Sequence, residues 1–142
     1  MKYIYFLATL FMSSAMVAQT YNVTFQVDMS QQTGFTTPEV NGSFNNWCGN
    51  CAPMADPEGD GIWTLTIPLA AGSYEYKFSA DNWGSQETLL QGTPCTVTNF
   101  GFTNRTLSVT ADATLPLVCW GSCTDCASTP NVYDITFQLD MN

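Results

Sequence analysis

Three side chains in this 142-residue sequence have the type and spacing to do recognition chemistry: Trp47, Lys77 and Trp83. Trp47 closes the segment Val40-Asn41-Gly42-Ser43-Phe44-Asn45-Asn46-Trp47 and runs into the turn-forming Cys48-Gly49-Asn50-Cys51. Trp83 follows Asp81-Asn82 on a polar turn, where a large ring is hard to bury. Between them, Tyr74, Tyr76 and Phe78 alternate with Glu75, Lys77 and Ser79, which puts the lysine on the strand face opposite the aromatic stripe. An exposed indole offers a flat apolar surface at little conformational-entropy cost, and a nearby amine can hold a rim of hydroxyls. A pyranose has both an apolar C–H face and a hydroxyl rim, so the constellation reads as a sugar-binding surface. The competing expectation is that both rings are half-buried, because tryptophan usually is. For Lys77 the competing role is a surface partner of Glu75, worth little energetically. Trp63 alternates with Leu65 and Ile67 and reads as core; Trp120, between cysteines, reads as disulfide packing, and Arg105 as equally apt for a structural role.

Other chemistries find less support. The chain has no histidine, so a serine or cysteine triad of the usual kind is not expected. Glycoside hydrolysis needs two flanking carboxylates, and near the proposed surface only Asp81 and Glu87 offer them, on a stretch that reads as irregular loop. A non-catalytic protein without cofactor is expected. Asp56-Pro57-Glu58-Gly59-Asp60-Gly61 resembles the start of a calcium loop, but Ile67 stands where an EF-hand needs a glutamate, and a solvated loop is expected instead.

The charge balance narrows the partner. Met1-Lys2, a short apolar run, and Ser13-Ser14-Ala15-Met16-Val17-Ala18 have the layout of a secretory leader, expected to be cut after Ala18, with Ala15 as the rival position. The apolar run is shorter than the roughly 20 residues of a membrane span. Without Lys2, Lys77 and Arg105 face 12 acids. That field repels phosphate backbones and anionic headgroups, which argues against nucleic acid and membrane partners. Few charges among abundant Thr, Asn, Ser and Gln suit a neutral, hydroxyl-rich partner. A secreted or cell-surface location makes disulfides the expected state of the six cysteines, ahead of zinc. Six cysteines allow 15 pairings; the expected set is Cys48–Cys51, Cys95–Cys119 and Cys123–Cys126.

Positioning these residues falls to short strands. Val23, Phe25, Val27 and Met29 alternate with polar residues as a first strand, and residues 40–47 read as a second, although Asn41-Gly42 could instead turn. Residues 63–69 and 74–78 read as a hairpin joined by Ala70-Ala71-Gly72-Ser73. Further strands are expected over 96–102, 105–110 and 115–120. Short strands separated by Gly, Pro and Asn indicate an all-β fold, an antiparallel immunoglobulin-like β-sandwich. The segment Tyr21 to Ser30 reappears in register as Tyr133 to Asn142, a whole domain's length further on. The expected organisation is therefore a leader over 1–18, a sandwich over 20–128, a linker over 129–132 and the first strand of a second repeat over 133–142. The alternative is that the last strand completes the first sandwich.

The order and spacing of Val40 to Trp47, Met54, the Trp63 strand, Gly72 to Phe78 and Asp81-Asn82-Trp83 resemble glycogen- and starch-binding modules, above all the glycogen-binding domain of the AMP-activated protein kinase β subunit. The resemblance covers roughly residues 21–110. It implies that Trp47 and Trp83 stack on an α-glucan, that Lys77 bonds sugar hydroxyls and that Asn104 assists. The cysteines after Trp47 and the Cys119 to Cys126 tail depart from the kinase pattern. A structural or adhesive surface repeat, using the same sandwich as a spacer, is the alternative function.

Overall fold

The computed structural model describes residues 19–126. Nine strands follow in order: β1 (Thr20–Asp28), β2 (Pro38–Gly42), β3 (Ile62–Ala70), β4 (Gly72–Ala80), β5 (Ser85–Gln86), β6 (Thr96–Asn99), β7 (Phe102–Val109), β8 (Ala113–Thr114) and β9 (Val118–Cys119). They form two sheets. In one, β1 pairs antiparallel with β3 along its whole length and parallel with the short β8 and β9. In the other the order is β2-β4-β7-β6, all antiparallel, with β5 attached to β4. This is the all-β, largely antiparallel sandwich expected from the strand pattern. The expected leader, linker and second repeat lie outside the described residues. Among the described residues no helix is long and apolar enough to cross a membrane.

The core sits between the sheets. Val23, Phe25 and Val27 of the first strand's apolar face, with Met29 just past its end, meet Val40, Tyr76, Phe78, Leu107 and Val109 of the second sheet. Phe25 and Tyr76 touch edge to face, with ring centroids 5.1 Å apart. Trp63 packs against this cluster as expected, and Trp120, expected to pack on the disulfides, packs against it as well.

Two expected elements take a different form. Residues 62–70 and 72–80 are strands of different sheets, so they do not make a hairpin: β3 pairs with β1, whereas β4 lies between β2 and β7. Only Ala71 separates them, too little chain to reverse direction, and the chain turns a corner between sheets so that each apolar face meets the other across the core. Pro68 fits because β3 is an edge strand. The strand expected over 40–47 stops at Gly42 and gives way to a 3-10 turn, Ser43–Asn45. Asn45 ends it locally: its Oδ1 accepts from Gly42 N at 2.9 Å and its Nδ2 donates to Val40 O at 3.0 Å.

The disulfides pair Cys48–Cys51, Cys95–Cys123 and Cys119–Cys126. The first agrees with expectation and the other two exchange partners. Cys119 belongs to β9, beside β1, whereas Cys95 precedes β6 in the opposite sheet. The tail turns back through Cys119 N, which donates to Thr124 O at 2.8 Å, leaving Cys126 next to Cys119 and carrying Cys123 across to Cys95.

Candidate functional site

The outer face of the β2-β4-β7-β6 sheet carries an open groove of about 1060 Å³. Its lining brings together Trp47, Lys77, Trp83 and Asn104, from four separate places in the sequence. Strand alternation explains the floor. With Tyr76 and Phe78 turned into the core, Glu75 and Lys77 face outward on β4. The β4–β7 register sets Tyr76 opposite Arg105, which places Asn104 on the outer face beside them.

Both tryptophans are half-buried and adjacent, with ring centroids 6.5 Å apart and planes inclined by 34°. Trp83 Nε1 donates to Trp47 O at 3.2 Å, so one indole N–H is fixed by the other segment's backbone. Each ring sits on left-handed backbone: Asn46 and Trp47 have φ of 53° and 56°, and Asp81, Asn82 and Trp83 of 54°, 55° and 67°. Asn and Asp accept this region readily; a tryptophan does so only where its surroundings over-determine it.

Those surroundings are a buried polar network. Asn41, fully buried, clasps Gly49 through Nδ2–H to Gly49 O and Gly49 N–H to Oδ1, both at 2.8 Å, and also donates to Ser79 Oγ at 2.7 Å. Ser79 Oγ donates to Glu39 at 3.3 Å, and the other Glu39 oxygen accepts from Asn82 N at 3.0 Å. The network ties the Cys48–Cys51 loop to the Trp83 turn. Only glycine fits at position 49, where φ is +87° and a Cβ would come within 2.1 Å of Asn82 Oδ1 and 3.2 Å of Trp83 Cδ1. The cysteine clip after Trp47 is thus a buttress for both rings.

Lys77 is 9% exposed, yet its amine forms neither a hydrogen bond nor an ion pair among the described residues. The residue lines the groove. Desolvation pushes the amine below the ordinary lysine value, partly opposed by the charge of Glu87. Asn104 donates from Nδ2 to Glu75 Oε2 at 2.9 Å, and Asn99 donates to Glu75 Oε1.

The opposite wall holds residues with no warning in the sequence: Phe100, Phe102, Val97 and Asn99. Phe100 is 101% exposed at the tip of the β6–β7 turn with φ of +51°, followed by Gly101 at +85°. Two consecutive positive φ values are the two-residue hairpin geometry that favours Asn-Gly, so a phenylalanine there is strained. A local Asn-Phe-Gly-Phe pattern gives no hint that these residues line the same groove as the two indoles.

The carboxylates considered for hydrolysis are engaged elsewhere. Glu87 is buried and accepts from Arg105 Nη2 at 2.6 Å and Nε at 2.8 Å, from Phe78 N at 3.0 Å and from Gly121 N at 3.1 Å. Asp81 accepts from Thr36 N and Thr37 N. Arg105 is thereby structural, with its guanidinium 5.2 Å from the Phe78 ring centroid. Asp56 caps its own loop, accepting from Gly59 N at 2.8 Å and Gly61 N at 2.9 Å.

Sandwich and groove define the class: a two-sheet β protein presenting an aromatic-lined cleft with a few polar side chains on the face of one sheet. The family model for the glycogen recognition site of AMP-activated protein kinase matches residues 26–115, more than half of the chain, and the chain belongs to that family. Over 55 residues it is 38% identical to the 1,4-alpha-glucan branching enzyme GlgB of Nitrosomonas eutropha. That match takes in 39% of the chain and spans 8% of the enzyme's length.

Proposed function

We propose that the protein is an exported, non-catalytic module that binds a neutral α-glucan of the starch or glycogen kind, as one unit of a tandem array. The observation that carries this reading is the convergence on one open groove of Trp47, Trp83 and the largely buried Lys77, whose amine has no partner among the described residues. The paired indoles give a glucose unit an apolar ledge, Lys77 donates to its hydroxyls, and Asn104 assists from β7. Phe100 and Phe102 wall the far side, so a chain of several sugar units fits along the groove better than a monosaccharide. Membership of a glycogen-recognition family and the likeness to a glucan branching enzyme support the ligand class. The leader-like residues 1–18 and three disulfides support export, and the repeated ten-residue segment supports tandem organisation. Repeated weak sites on one chain raise avidity without tightening any single site.

Titration of the protein with maltoheptaose and glycogen, followed by tryptophan fluorescence, tests the proposal. A saturable change that Trp83→Ala abolishes is expected. A flat titration with both ligands would leave the spacer or adhesive role instead.

A further inference from the structure

Glu75 stands in the groove with an arrangement that a solvated surface carboxylate does not need. It lies two residues from Lys77 on the same face of β4, and both line the groove. Its two oxygens are held by amides from two other strands, Oε1 by Asn99 of β6 and Oε2 by Asn104 of β7. Its backbone N–H also donates to Ser43 Oγ at 3.2 Å. The carboxylate is therefore oriented, not swinging in solvent. An ionised carboxylate offers about four lone-pair sites, and the two amides use two of them. The expected surface pair with Lys77 is absent: among the described residues the ammonium has no carboxylate within ion-pair distance. A fixed acceptor and an unengaged donor thus stand two residues apart, unjoined among the described residues, in one cleft.

We propose that Glu75 is a specificity-determining residue of this groove, accepting a hydrogen bond from one hydroxyl of a vicinal diol whose other oxygen accepts from Lys77. The inference rests on the glucan-binding reading above and deepens it. In an internal unit of an α-1,4-linked glucan the 1- and 4-oxygens are in linkages, so the only vicinal diol is the 2,3-pair. The two oxygens of such a diol can act in opposite senses, one donating and one accepting, which matches the carboxylate–ammonium pair. The groove accordingly selects glucans whose 2- and 3-hydroxyls are unsubstituted and is indifferent to substitution at the 6-position. An anionic substituent on the hydroxyl that faces Glu75 is excluded twice, by lost donation and by repulsion from the carboxylate. Asn99 and Asn104 serve as positioning residues, each aiming one carboxylate oxygen.

The test uses β-cyclodextrin, its 2,3-di-O-methyl derivative and its 6-O-methyl derivative, titrated calorimetrically into the protein and into the Glu75→Gln, Glu75→Ala and Trp83→Ala variants. The unsubstituted and 6-O-methyl rings should bind the protein alike, and the 2,3-di-O-methyl ring roughly 10- to 100-fold more weakly, the range of a hydrogen bond to a charged group. Both Glu75 variants should lose a similar factor for the unsubstituted ring, and the methylation penalty should shrink towards unity, because diol and carboxylate are two ends of one interaction. Unchanged melting curves for the near-isosteric Glu75→Gln protein separate lost recognition from lost fold. A full methylation penalty persisting in both variants, or unchanged affinity, overturns the role of Glu75 while glucan binding stands if Trp83→Ala abolishes it. Failure of the unaltered protein to bind any of the three rings overturns both readings.

Discussion

Replacing Trp83 by alanine removes the ledge and also frees Trp47 O from its indole donor. Affinity for maltoheptaose should fall by roughly 30-fold or more, the scale of a central aromatic anchor, as read by isothermal titration. At Lys77 the outcome depends on pH. Because burial lowers its amine below the ordinary lysine value, glucan affinity should decline on the alkaline side before an ordinary lysine would lose its proton. NMR of the Lys77 side chain against pH gives the midpoint directly. Tyr76 acts on stability in the same range. Its phenol is pushed from 10.0 up to about 12, chiefly by burial, with Arg105 opposing. The folded protein thus holds a proton that the unfolded chain has already released. The contribution is complete below pH 10 and lost as pH climbs through about 12, amounting to about 3 kcal/mol, and urea midpoints across that interval check it. That Trp47, Lys77 and Trp83 share one surface was legible because alternation along one strand and two polar turns are local signals. Glu75 and Asn99 were not, since their meeting depends on the pairing of β4, β7 and β6, which no single segment encodes.

At the scale of elements, the Cys48–Cys51 loop and the Asp81–Trp83 turn behave as one piece, sewn together by Asn41, Ser79 and Glu39. Gly49→Ala would force a Cβ against Asn82 and Trp83 on left-handed backbone, so glucan affinity should drop at least tenfold, the scale of one hydrogen bond or stacked ring, with a modest loss of melting temperature. Calorimetry beside a thermal melt distinguishes this from general unfolding. The clip departs from the kinase pattern, and in place it braces the two rings. The misjudged hairpin has a related cause. Residues 63–69 and 74–78 each carry a strand's alternation, but periodicity says which face is apolar and not which sheet the face belongs to. The single residue between β3 and β4 decides that question.

For the molecule as a whole, two devices tie the groove-bearing sheet to the rest. One is the buried Arg105–Glu87 pair, each residue 1% exposed, which also reaches Gly121 of the tail. Arg105→Met strands a buried carboxylate and should cost about 3–5 kcal/mol in a urea titration. The other is Cys95–Cys123, which closes a separation of 28 residues and joins the β6 edge to the tail. Replacing both cysteines by alanine should cost about 3–4 kcal/mol by the loop-entropy relation and lower the melting temperature without changing glucan affinity, since neither cysteine lines the groove. The sandwich as a whole was readable because many short alternating segments admit few other architectures. Cys48–Cys51 was readable too, but the partners of Cys95 and Cys119 were not, because a bond between sheets depends on where the tail folds back.

The close, skewed stance of the two indoles gives the protein a built-in optical gauge. Rings 6.5 Å apart and 34° out of parallel have transitions that mix, so the pair should produce a circular-dichroism couplet that neither chromophore gives alone. Anything settling across them will disturb that couplet, and occupancy can be followed on unlabelled material.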